Sequence, residues 1–203
     1  MDGQDYLNQI SATVRPEKKS KLGSIMGSTI FKVIAGAVVA FIIIAIIGSV
    51  INGGKSSNKD QAISLKLNID STLKVITKYQ SKVKSSILRS SSASLYSVLS
   101  NTNRDLTSFI NENYNYNSKN DDKKFLDDIA AESAELEASL FEAKINGVLD
   151  QVYANEMAYI VSLFYNKEVT LLNATKNENL KSLLTTSANS LNNLYDQFND
   201  FQN

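Results

Sequence analysis

The chain has 203 residues, 21 basic and 21 acidic side chains, and no His, Cys or Trp. Without Cys there are no disulfides, zinc–thiolate centres, iron–sulfur clusters or thiol nucleophiles, and without His the commonest general base and transition-metal ligand are missing. Balanced charge gives no global pull toward nucleic acid, which is not expected as a partner.

Residues 1–32 read as a short cytoplasmic tail and juxtamembrane segment. Within residues 1–22, Tyr6, Leu7, Ile10 and Val14 share one helical face ahead of Pro16. A small amphipathic helix and an unstructured tail both fit that pattern. Residues 33–51, VIAGAVVAFIIIAIIGSVI, carry no charge, and twelve of them are Val, Ile or Phe. As a helix they span roughly 28 Å, about one hydrocarbon core. Those twelve contribute about −5 kcal/mol toward insertion. The stretch is apolar on every face, unlike a core helix with one wet side. It is also longer than the apolar region of a cleaved signal peptide. A transmembrane helix is therefore expected, with the lipid bilayer as a partner. Arg15, Lys18, Lys19, Lys21 and Lys32 precede it, and Lys55, Lys59 and Lys66 follow. That asymmetry favours a cytoplasmic N-terminus and an extracytoplasmic C-terminal domain at the cell membrane, in single-pass topology.

Residues 52–57 (NGGKSS) read as a flexible linker. From 58 to 203, helical periodicity runs almost without interruption and Pro is absent. A first stripe holds Leu65, Ile69, Leu73, Ile76, Val83 and Ile87. A second holds Leu95, Leu99, Leu106, Phe109 and Ile110, with Ser90–Ser92 as its expected cap. A third holds Phe125, Leu126, Ile129, Leu136 and Leu140. Leu149, Val152, Tyr153, Ile160, Leu163, Phe164 and Leu171 make a fourth. The fifth holds Leu180, Leu183, Leu184, Leu191, Leu194, Tyr195, Phe198 and Phe201. Each stripe has the spacing of a helix with one buried face. The Asn-rich segment 111–120 predicts a loop, Asn173–Asn177 a second break, and Asn146-Gly147 either a helix end or a kink. The fold class expected is all-α: one N-terminal transmembrane helix plus an up-and-down bundle of four or five helices.

No motif in the chain points to catalysis, a cofactor or a metal. Gly53-Gly54-Lys55-Ser56 looks like the end of a phosphate loop but follows an apolar span rather than a strand. Asp128, Glu132, Glu135 and Glu142 share a face opposite Ile129, Leu136 and Leu140, the pattern of a solvated surface. Lys66, Lys74, Lys78 and Lys82 lie at multiples of four and form a basic ridge. The ridge suits either an anionic partner or plain solubility with pairing to the acidic third segment. Tyr114 and Tyr116 fall in the predicted loop, either as a binding tip or as packing on the bundle end. Lys74, Lys78, Lys82, Tyr114 and Tyr116 are thus the candidate interaction residues.

Four stretches, DGQDYLNQI (2–10), SASLYSVLSNTNRDL (92–106), AKINGVLDQVYANEMAYIVSLF (143–164) and NLYDQFNDF (193–201), carry a resemblance. With the position of the apolar span, they resemble small single-pass membrane-anchored helical proteins of candidate-phylum bacteria of the Saccharibacteria type. The resemblance covers nearly the whole chain and brings no catalytic motif. It implies a small-genome bacterium living on the surface of a host bacterium, and so a role in cell-surface contact. The function expected is a non-enzymatic, membrane-tethered module binding a protein or envelope partner, with an oligomer left open. The alternative is a ligand-sensing ectodomain that signals through the span to a cytoplasmic partner holding residues 1–22.

Overall fold

The computed structural model describes residues 57–202. The expected tail, transmembrane helix and most of the linker lie outside the described residues. Ser57, assigned above to the linker, ends it as a helix cap: its side chain accepts from the Asp60 N–H at 3.2 Å. That bond satisfies one of the free donors at a helix start.

Five long helices follow, joined by short corners: α1 (Asn58–Tyr79), α2 (Ser86–Asn113), α4 (Lys123–Ile145), α5 (Leu149–Ala174) and α6 (Glu178–Asn199). One further helical turn, α3 (Ser118–Asp121), precedes α4, and 3-10 turns close α1 and α6. The described region is all-helical, as the periodicity predicts. Consecutive long helices run antiparallel, as their cross-links show. Asp70 of α1 accepts from Asn103 of α2, Ser139 of α4 donates to Glu156 of α5, and Ser187 of α6 donates to Glu168 of α5. Around the bundle axis the packing order is α1, α2, α6, α5 and back to α1, with α4 laid against α1 and α5.

This arrangement explains which faces are buried. α1 touches three long helices, and Ala62, Ile63, Leu65, Ile69, Val75 and Ile76 are all buried. α4 sits outside the ring and buries only Ile129, Leu140 and Ala143. Two expectations are corrected here. The second helix is capped by Ser85, not by Ser90–Ser92, because Ser85 accepts from Leu88 N–H while Asp150 of α5 takes the N–H groups of Lys84 and Ser85 at 2.9 and 2.8 Å. That break puts Ile87 in the first turn of α2, 65% exposed, instead of in the stripe of α1. Asn146-Gly147 proves to be a helix end: Gly147 has φ +74°, and the Val148 N–H reaches back to the Ala143 carbonyl at 2.9 Å. Such a left-handed residue after the last turn is cheap for Gly alone.

Candidate interaction surface

The helix directions divide the bundle into two ends. Ser57 enters at one, together with the end of α2, the start of α4 and the α5–α6 corner, as the Lys59–Asp121 ion pair (2.9 Å) and the Asn58–Ala174 hydrogen bond (3.2 Å) show. The far end gathers the last turn of α1, the start of α2, the α4–α5 corner and the end of α6.

Both candidate tyrosines lie at the entry end and are held by the fold. Tyr114 packs edge-to-face on Phe109 with ring centroids 5.7 Å apart, and burial raises its pKa. Tyr116 donates to Asp122, with oxygens at 2.9 and 3.1 Å. Partial burial first and that bond second push its phenol up to about 12. Both rings contact the core, so the predicted tip is largely pinned down. Asn117, in the same loop, caps α3 through its side chain.

The basic ridge behaves differently along its length. Lys66 is half-buried and spent on Asp70 of its own helix at 2.7 Å. Lys74 is exposed. Lys78 pairs with Glu137 of α4, which holds its ammonium above the ordinary value. The Tyr79 hydroxyl donates to the Glu137 carbonyl at 3.1 Å, fixing α1 to α4 at that level. Lys82 lies over the Tyr79 ring, 4.6 Å from its centroid, and among the described residues it meets no carboxylate.

Lys78, Tyr79 and Lys82 form one wall of a groove of about 490 Å³; Ala134, Glu137, Ala138, Phe141 and Lys144 of α4 form the other. Sequence reasoning missed this second wall. α4 carries two apolar faces. Ile129, Leu136, Leu140 and Ala143 point at the bundle. At about 100° per residue, Ala131, Ala134, Ala138, Phe141 and Ile145 fall on the opposite side. All five are exposed, Phe141 at 57% and Ile145 at 69%. Their three- and four-residue steps were readable, but a stripe alone does not say which of two faces is buried.

The acidic residues flank that outer stripe on its other side. Asp128, Glu132, Glu135 and Glu142 are exposed, as predicted. Glu132 keeps much of its surface in water, yet partial desolvation raises its pKa, opposed by Lys167 across the α4–α5 seam. The seam is polar. Glu156 is raised by burial while accepting from Ser139 at 2.8 Å, Tyr159 is pushed up to about 12 by burial, and Lys167 is lowered by burial. Among the described residues the Tyr159 hydroxyl has no hydrogen-bond partner.

A second polar feature lies inside the bundle. Glu168 of α5 is fully buried; Ser187 of α6 donates to it at 2.8 Å, and Ser187 in turn meets Thr102 of α2 at 2.7 Å. Burial pushes its carboxyl up to about 8, so it is mostly a neutral acid at pH 7. Tyr153 and Ser92 make a similar buried contact between α5 and α2 at 2.5 Å. Among the described residues, no three His, Cys, Asp or Glu side chains converge as metal ligands.

No protein-family model, curated protein or solved structure matches this chain.

Proposed function

We propose that the chain is a membrane-tethered, non-enzymatic helical module that acts by docking at the outer face of the cell membrane, using the outer face of α4 and the groove beside it. The observation that carries this is the pairing of large exposed apolar side chains, Phe141 and Ile145, with Lys82 and Lys144, which meet no carboxylate among the described residues, beside a helix whose other face is already in the core. Water disfavours such a surface, and contiguous exposed apolar groups rimmed by charge mark contact sites. The tether is residues 33–51, by their length and lack of charge. The resemblance to membrane-anchored proteins of host-attached bacteria points the same way.

Two measurements test it. After lysis without detergent, the intact chain should sediment with membranes, and external protease should digest residues 58–203 on whole cells. Recovery of uncleaved protein in the aqueous fraction would end the tether. Photo-crosslinking groups at Phe141 and Ile145 should give a discrete product on cells, while one at Asn193, exposed on α6, should not. Equal labelling from all three positions would remove α4 as the docking face.

A further inference from the structure

We infer that the occupant of the α4 outer face is a second copy of this chain, paired through α4 in parallel and in register. The inference deepens the docking reading by naming the partner, and its charge argument holds whether or not the chain is tethered.

The seam is the starting point. Phe141 and Ile145 stand out from α4, and Ala138, Ala134 and Ala131 continue the same line back along the helix. The steps of three and four residues are those of two helices wound about each other. Alanines let a facing backbone come close, and the two large side chains supply most of the apolar area.

The flanks decide the orientation. Along one edge of the seam run Glu135 and Glu142. Along the other runs the groove, where Lys78, Lys82 and Lys144 outnumber the single acid Glu137, which pairs with Lys78. The edges therefore carry opposite charge. A twofold axis parallel to α4 sets the acidic edge of each copy against the basic edge of the other, twice by symmetry. An axis perpendicular to α4 would instead set acid against acid and base against base. The levels agree as well. Lys78 pairs with Glu137, so in register it lies beside Glu135 of the other copy. Lys82 shares the groove with Phe141 and Lys144, level with Glu142 of the other copy. Lys82 and Lys144 meet no carboxylate within their own chain's described residues, so pairing would fill an unmet electrostatic preference. Residues 57–203 carry 15 basic and 18 acidic side chains, a formal net charge of −3, so only a small global repulsion opposes association.

Five residues of seam cover about four helical turns, a short interface by the standard of stable dimers. The pairing is accordingly weak and depends on local concentration, which a shared bilayer would raise.

The chain has no Cys, so single cysteines report geometry cleanly. The full-length protein, in detergent micelles and in vesicles, is oxidised with copper–phenanthroline. Ile145→Cys alone and Ala131→Cys alone should each form disulfide-linked dimers. A mixture of the two single variants should give little of the mixed product. Adding Phe141→Asp should lower the yield about tenfold, as loss of a central apolar anchor does. Phe141 is mostly exposed, and circular dichroism checks that the variant still folds. Glu142→Lys should lower the yield, and adding Lys82→Glu with Lys144→Glu should restore it. In an antiparallel pair Glu142→Lys would raise it instead, so the sign is diagnostic. Mixed 131–145 product in excess, a yield indifferent to Phe141→Asp, or a monomer at every concentration would overturn the inference. A monomer that still crosslinks another component from Phe141 would leave the docking reading standing. Extraction without detergent would remove the tether while the disulfide pattern stayed readable.

Discussion

Glu168→Gln isolates one buried group and gives a signed, pH-dependent result. In the folded chain the carboxyl is pushed up to about 8 from an ordinary value of 4.5. The folded state therefore holds a proton that the unfolded state releases. Stability is full below pH 4.5, falls as pH rises toward 8, and is flat above. At about 1.4 kcal/mol per pKa unit the whole window amounts to about 5 kcal/mol, an upper bound because local opening lets water reach an ionised carboxylate. Gln has the same shape and keeps an oxygen to accept from Ser187. Its amide N–H group takes the place of the carboxyl O–H, which has no partner among the described residues on the unbonded oxygen either. The substitution should thus be near neutral at pH 4.5 and stabilising by about 2–4 kcal/mol at pH 8. Urea unfolding of residues 58–203, followed by circular dichroism at several pH values, measures the difference directly. A variant less stable than the native chain at pH 8, or a difference that does not grow with pH, would refute the buried neutral acid.

Two other substitutions probe the corners. Asp150→Ala removes the acceptor for two backbone N–H groups between α1 and α2; chemical denaturation should show a loss of about 2 kcal/mol, and Asp150→Asn a smaller one. Gly147→Ala should cost about 1 kcal/mol in melting experiments, from the positive φ alone, because an added Cβ meets nothing within 4 Å.

The number of long helices and most of their buried faces were legible because burial on one side of a helix leaves a three- and four-residue rhythm. Leu95, Leu99, Leu106, Leu180, Leu184 and Leu191 are all fully buried on the stripes that predicted them. Helix starts were less legible because their decisive partners are distant in sequence. Three serines in a row suggested a cap at 90–92, but the corner is set by Asp150, 65 residues beyond Ser85. Rhythm also ran across that corner and carried Ile87 into the wrong helix. Lys78 with Glu137 realised one of the two readings of the basic ridge, pairing with the acidic third segment. Glu168 left a usable trace. It sits four residues after Phe164 and three before Leu171, on the core side of α5, where an ionised carboxylate would be costly. The outward face of α4 was hidden because apolar periodicity records a face without saying what covers it.

The same two-faced helix should be the first to open. α4 buries only Ile129, Leu140 and Ala143 over 23 residues, whereas α5 and α1 bury nine or more residues each. Its contact with α5 runs through Ser139, Glu156, Tyr159 and Lys167, where the Tyr159 hydroxyl finds no partner among the described residues and burial works against the charges of Glu156 and Lys167. Its first residue follows an Asp122 that makes no side-chain cap, and its end is released by the left-handed turn at Gly147. A helix held by so little apolar area can separate while the α1, α2, α6 and α5 ring stays closed. Native-state hydrogen exchange should therefore show α4 amides opening at about 2–4 kcal/mol below those of α2 and α6. Raising protein concentration should slow exchange in α4 selectively if its outer face pairs, because association stabilises only the docked form. Exchange in α4 matching α2 and α6 would mean that the polar seam with α5 holds as firmly as the core, and that the outer face belongs to a rigid surface.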